Sequence, residues 1–263
     1  MFISLEGPDG SGKSTQSQRL VGRLEAEGFT VVPVHEPGGT ELADEVRAIL
    51  LKQAGPPIDP WAEALLFSAC RAQLVTEVIK PALTENAIVV ADRFADSTLA
   101  YQGAGRGLEH IDLQTLIRLA TSGIAPDLTV LLDIPVLAAL DRLRKVGKVK
   151  AVAPPRRRSG PRGSIRLPKG PSTRRAPATQ VALDQVSFFE DFGMREGWNR
   201  FEAEDIAFHD RVRDAFLALA RNEPERWTTV DARVSPDDVE QAIWEAIEPK
   251  LPRRRASRTR QKA

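Results

Sequence analysis

The run Gly7-Pro8-Asp9-Gly10-Ser11-Gly12-Lys13-Ser14-Thr15 carries the clearest chemistry in this sequence. Its glycines let backbone N–H groups close around phosphate oxygens, Lys13 supplies a cation for the β/γ-phosphates, and Ser14 offers a hydroxyl to Mg²⁺. An apolar strand pattern precedes the run and a helical pattern follows it, so the positive end of that helix faces the phosphates. A chance Gly-rich turn would lack Lys-Ser in register within this strand-to-helix context. The chemistry expected is the binding of a nucleoside triphosphate, with all nine residues contributing. A second acidic position ends the apolar run Ile88-Val89-Val90-Ala91-Asp92 and is followed by Arg93. In phosphate-loop proteins that strand lies beside the first, which would bring Asp92 to Ser14 and the metal. The plainer alternative is a strand-end Asp that caps a helix.

These residues need a frame. Short apolar runs at Phe2 to Leu5, Thr30 to Val34, Ala87 to Ala91, Leu128 to Leu132 and Trp227 to Val230 read as buried strands. Between them lie stretches with helical spacing, such as Leu20 and Leu24, then Leu113, Leu116, Ile117 and Ala120, then Val212, Phe216 and Leu219. Gly28 and Gly123 stand where helices end. Such alternation predicts a parallel sheet covered by helices on both faces, with ligands at the carboxyl ends of the strands.

The composition bounds what the frame can be. With 263 residues and 42% hydrophobic content the chain can bury a real core. One cysteine, Cys70, and three histidines exclude an internal disulfide and a Cys/His zinc site, and fit a reducing compartment. No signal peptide and no apolar run of membrane-spanning length is present, so a cytoplasmic protein without membrane contact is expected. The net charge of +1 hides an asymmetry. Thirteen basic residues and no acid lie between Arg142 and Arg175, and seven basic residues and no acid from Lys250 onward, leaving 17 basic against 36 acidic residues elsewhere. A single domain over residues 1–249 is expected, interrupted at 145–182 by a Pro/Arg/Gly-rich basic insertion expected to be disordered, and followed by a basic tail at 250–263.

Three further stretches carry a resemblance: Glu36-Pro37-Gly38-Gly39-Thr40, then Leu66-Phe67-Ser68-Ala69-Cys70-Arg71-Ala72-Gln73, then Asp92 through Gly103, which reads DRFADSTLAYQG. In this order, with the phosphate loop, they resemble the thymidylate (dTMP) kinases, from Met1 to about Asp141 and again from about Arg200 to Glu248. The resemblance implies a three-layer α/β phosphate-loop kinase fold with a five-stranded parallel sheet flanked by helices. It implies transfer of a phosphoryl group from ATP, with Mg²⁺, to dTMP. Asp9 resembles the acid that holds the nucleoside 3′-hydroxyl and helps place the acceptor phosphate. Phe67 resembles the aromatic that stacks on thymine, and Arg71, four residues on and so on the same helical face, the arginine at the thymine edge. Arg93 and Arg47 resemble the cations that clamp the acceptor phosphate, a task suited to a planar guanidinium. Glu36, Ser97, Tyr101 and Gln102 resemble residues of the thymidine pocket, with Tyr101 placed where a ribose 2′-hydroxyl would clash. The same likeness suggests a homodimer through helices, including apolar faces near Trp61, Leu65 and Leu66.

The sequence also departs from the family. His35-Glu36 replaces the commoner Arg-Glu, and Gly10 stands where one branch carries an arginine in the loop. The cation for the transferring phosphoryl is therefore expected from a lid, and Asn199-Arg200-Phe201-Glu202 is the nearest match to the lid signature, displaced by the basic insertion. Arg200 leads as the lid cation, with Arg142 and Arg144 behind it. The expected catalytic set is Lys13, Asp9, Arg93 and Arg200. Two other classes stay open: a kinase of another nucleoside monophosphate, and an NTPase whose basic arms bind nucleic acid. The scarcity of aromatic residues in the insertion argues against nucleic acid as a partner.

Overall fold

The computed structural model describes residues 1–52, 56–145, 201 and 204–252. The basic insertion beyond Lys145, Arg200, Glu202 and nearly all of the tail lie outside the described residues.

Five strands form one sheet: β1 (Phe2–Glu6), β2 (Val31–His35), β3 (Ile88–Asp92), β4 (Leu128–Asp133) and β5 (Trp227–Asp231). Their order is β2-β3-β1-β4-β5 and every pairing is parallel. β1 and β3 are buried throughout, which explains why they read as continuous apolar runs without alternation. The chain leaves β1 towards β2 on one side and later returns to β4 on the other, so the loop after β1 sits where the winding direction reverses. Crevices for ligands open at such points.

One face of the sheet is covered by α1 (Lys13–Ala26) and by α9 (Pro236–Ile247), the last α-helix among the described residues. Leu20, Leu24, Val239 and Ile243 meet Ile3, Leu5 and Val130 there. Each such fully buried aliphatic side chain contributes roughly 2 kcal/mol. The opposite face carries α3 (Pro60–Leu74), continued through a π-helical turn (Val75–Ile79) into α4 (Lys80–Thr84), together with α5 (Ala95–Thr98) and α8 (Ile206–Asn222). Leu74, Val75 and Ile79 pack there on Phe2, Val89 and Phe94, and Val212 and Phe216 on Leu131. Helices α2 (Glu41–Leu51), α6 (His110–Thr121) and α7 (Val136–Leu143) complete the layers.

Helix starts follow local chemistry. Asp59 accepts hydrogen bonds from the Trp61 and Ala62 amides ahead of Pro60, and Asp205 accepts from Phe208 N at 2.7 Å. The helix α1 has no side-chain cap: its N-cap is Gly12 at φ 97°. The phosphate loop therefore feeds straight into a helix whose first amides meet no side-chain acceptor among the described residues.

Candidate active site

The donor side is set by strand register. Leu5 pairs with Asp92, so the residues that follow β1 and β3 emerge together at the carboxyl edge. Ser14 Oγ donates to Asp92 Oδ2 at 2.6 Å, which joins the two residues expected to serve the metal. A hydroxyl and a carboxylate oxygen in contact are hard ligands of the kind Mg²⁺ takes while keeping water and phosphate oxygens in its other positions, so the pair fits that ion. Lys13 Nζ donates to the Gly7 and Pro8 carbonyls at 3.0 and 2.9 Å. Burial and the charge of Arg93 push its pKa down to about 8, against the pull of Asp9, Asp92 and Glu6. The loop tolerates no side chain where it is most crowded. A Cβ on Gly10, at φ 83°, would stand 2.5 Å from the Ala139 carbonyl of α7. That packing gives a reason for glycine, and no arginine, at this position.

The acceptor side centres on Arg93, which adopts a left-handed backbone at φ 72° directly after β3. Its guanidinium donates to Gly7 O, Ser97 Oγ and Tyr101 Oη, each at 3.1 Å, and to Asp9 Oδ1. Tyr101 in turn donates to Asp9 Oδ2 at 3.0 Å. Burial alone would raise the Asp9 pKa, but Arg93 and Lys13 outweigh it and hold the carboxyl below its ordinary value. Asp9 is thus an anion locked between two cations. Arg47, on α2, donates to the Pro37 carbonyl and lies half-buried beside the cis Glu36–Pro37 bond. Burial and the nearby Arg47 push His35 down to about 3, so the family's cation before Glu36 has no charged counterpart here at neutral pH.

The third group lies on α3 and the segment after β3. Arg71 is 1% exposed, so its guanidinium is held inside the fold. Its Nε and Nη2 donate to Glu36 at 2.5 to 3.0 Å, Nη1 donates to Thr98 Oγ1 at 3.0 Å, and Nη2 also reaches Phe94 O. Of the five N–H groups of a guanidinium, this leaves one on Nη1 outside these bonds. Phe67 is half-buried beside Phe201, at 5.8 Å and edge-on, and Phe201 also packs on Tyr101 at 6.0 Å. The Gln102 amide donates to Glu63 Oε1, a fully buried carboxylate that also receives Arg106.

Asp9, Arg93, Ser97 and Tyr101 therefore form one hydrogen-bonded cluster, while Glu36 and Arg71 form a second and Gln102 a third with Glu63 and Arg106. Sequence reasoning passed over Glu6, Thr98, Glu63 and Arg106. Only Glu6 left a signal: a carboxylate closing a strand that is otherwise apolar, immediately ahead of the glycine loop. Thr98, Glu63 and Arg106 occupy amphipathic segments where such residues are routine.

Known proteins with similar sequences and structures converge on one group. The family model described as thymidylate kinase matches residues 5–153. Thymidylate kinase of Trichlorobacter lovleyi is 41% identical over 247 residues, covering 94% of this chain and 96% of that protein. That of Solidesulfovibrio magneticus is 42% identical over 247 residues, covering 94% and 98%. The crystal structure of thymidylate kinase from Ehrlichia chaffeensis superposes with a TM-score of 0.62 at 26% identity, covering 94% of this chain and 98% of that one. A phosphate loop packed against the Asp9–Arg93–Tyr101 cluster on this sheet, and likeness along almost the whole chain, lead to one statement: the chain belongs to the thymidylate kinase family.

Proposed function

We propose that this protein transfers the γ-phosphoryl group of ATP to dTMP, forming dTDP and ADP. The observation that carries the reading is the contact across the carboxyl edge of the sheet, where Arg93 bonds both to Gly7 O of the donor loop and to the Asp9–Tyr101 pair. No covalent intermediate is needed. Lys13 and the loop amides hold the donor phosphates, and Ser14 with Asp92 would hold Mg²⁺, which neutralises charge on the β/γ-oxygens when bound. Arg93 and Arg47 take the acceptor phosphate, with Arg93 aligned by Asp9, and Asp9 receives the sugar 3′-hydroxyl. Phe67 stacks on the base, the remaining Arg71 Nη1 hydrogen meets the thymine edge, and Tyr101 with Gln102 closes the pocket beside the sugar.

Arg200 is our lid cation for the transferring phosphoryl. Phe201, the next residue in the chain, packs on both Phe67 and Tyr101, which supports this choice over Arg142 and Arg144. Arg200→Ala should keep nucleotide affinity while turnover falls by about 10³-fold or more, as for other arginines that meet phosphoryl transition states. Equal turnover in variant and parent would reject the assignment. The reaction itself is tested by coupled ADP release with a panel of nucleoside monophosphates. Activity strongest on dTMP and weaker on dUMP is expected, whereas hydrolysis stimulated by nucleic acid without an acceptor would point to the competing NTPase.

A homodimer is the assembly we favour. Leu42 and Ile49 on α2, Trp61 and Leu65 on α3, and Ile111 and Leu119 on α6 are exposed apolar residues on neighbouring helices, at spacings that place each pair on one helical face. Leu66, which the sequence suggested for this face, packs inward with Ala43, Leu50 and Cys70. Among the described residues no helix is long and apolar enough to cross a membrane. A single free thiol and the need for ATP fit a reducing, nucleotide-rich compartment, and we place the protein in the cytoplasm.

A further inference from the structure

Glu6 is the last residue of the central strand, 0% exposed, and no step above uses it. A carboxyl in that position carries a desolvation cost that an aliphatic side chain would avoid. Its bonds show where it is engaged. Oε1 accepts from the Phe94 amide at 2.7 Å and from Ser4 Oγ at the longer 3.4 Å, and Oε2 accepts from Ser97 Oγ at 2.6 Å. Both principal partners are tied to Arg93, one through the chain and one through its guanidinium. Phe94 N belongs to the peptide that follows the left-handed Arg93, a conformation costly for a residue with a side chain. Ser97 is the residue whose oxygen accepts from Arg93 Nη1.

We propose that Glu6 is a positioning residue for the acceptor clamp, pinning the Arg93–Phe94 turn and orienting the Ser97 hydroxyl so that Arg93 is presented to the acceptor phosphate. A serine hydroxyl has one proton. By taking that proton on Oε2, Glu6 turns a lone pair of Ser97 towards Arg93. The guanidinium is then fixed through its backbone and through one end of its fork, and both anchors meet on one carboxyl. The charges around Glu6 pull in opposite directions. Burial and Asp96 on α5 push its pKa up to about 7, while Arg93 and the Ser97 and Phe94 bonds pull the other way. Lys13 lies within its field from α1, and the charge of Asp96 is itself taken up by Arg226, at 2.7 and 2.9 Å.

This inference rests on the reading of Arg93 as the acceptor clamp, and the test separates the two. Steady-state kinetics for ATP and dTMP are measured on the full chain carrying Glu6→Gln, Ser97→Ala, both together, and Arg93→Ala. Gln keeps the shape and an acceptor for Phe94 N–H, but its amide gives Ser97 a donor in place of an acceptor. Since hydrogen bonds to charged groups are the stronger ones, the dTMP KM should rise about tenfold in Glu6→Gln and in Ser97→Ala, with the ATP KM within about threefold of the parent. The double variant should be little worse than either single one, because both break the same relay. An unchanged dTMP KM in Glu6→Gln, equal rises for both substrates, or additive losses in the double variant would each overturn the proposal. If Glu6→Gln fails to fold, a parent-like dTMP KM in Ser97→Ala overturns it, and a raised one supports it. If Arg93→Ala itself leaves the dTMP KM unchanged, the clamp reading falls and the positioning role with it.

Discussion

The donor and acceptor sides of the site are built differently. Apart from Asp92, which joins Ser14 from β3, the residues we assign to the donor side form one contiguous run from Gly7 to Thr15, offering backbone amides, a helix start and one lysine. The acceptor side draws side chains from the loop after β1, the residue after β2, α2, α3, the turn after β3 and the helical segment that follows it. None of these act alone: Arg93 leans on Asp9, Tyr101 and Ser97, and Arg71 on Glu36 and Thr98. Phosphate can be held by repeated main-chain groups, because any amide serves. A particular base and sugar need distinct groups at fixed points, and each polar group buried to do this needs partners of its own.

That contrast can be broken from either side. Of the effects on these two sides the larger is expected on the donor side, where Lys13→Ala removes the cation we assign to the donor phosphates. Turnover should drop by about 10² to 10³-fold with unfolding transitions little changed, as when one preorganised donor is lost. A variant that lost stability in proportion to activity would show that the lysine is chiefly structural. On the acceptor side stability and function should fall together. Arg71→Ala strands the buried Glu36 carboxylate, so urea denaturation should show a loss of about 3–5 kcal/mol, with part of it recovered when Glu36→Gln is added. No recovery in the double variant would mean that packing, and not the ion pair, accounts for the loss.

The smallest effect is a matter of protons. Lys13 has its pKa lowered to about 8 by burial and by Arg93. Triphosphate beside it favours the charged form, so ATP binding at pH 8 should take up roughly half a proton, falling towards none at pH 6 where the lysine is already charged. Calorimetric titrations in buffers of different ionisation enthalpy measure this uptake. An uptake unchanged by Lys13→Met would assign the proton to another group.

The same division governs what could be read before the fold was seen. The glycine loop, the strand-ending Asp92 and all five strands were legible because each is written in adjacent residues with a short-range physical cause. The strand boundaries shifted by a residue or so, as at Val31–His35 and Ile88–Asp92. The residues of the acceptor side were reachable only through family likeness, and their partners were mostly invisible. Glu63 looks like any acid on an amphipathic helix until Gln102 and Arg106 are seen to converge on it. Leu66 and Leu65 are both leucines of α3, yet one packs inward and the other is exposed, because only the position of α2 decides which face is covered.

The sequence by itself determined the layered α/β architecture and a phosphate-binding loop at its carboxyl edge, since periodicity and glycine placement act over a few residues. Tertiary structure alone decided which charges meet: strand register sets Leu5 beside Asp92, and the turn after β3 carries Arg93 onto Asp9, 84 residues away in the chain. Contacts of that range depend on how strands align and helices pack, and no local pattern of residues encodes them.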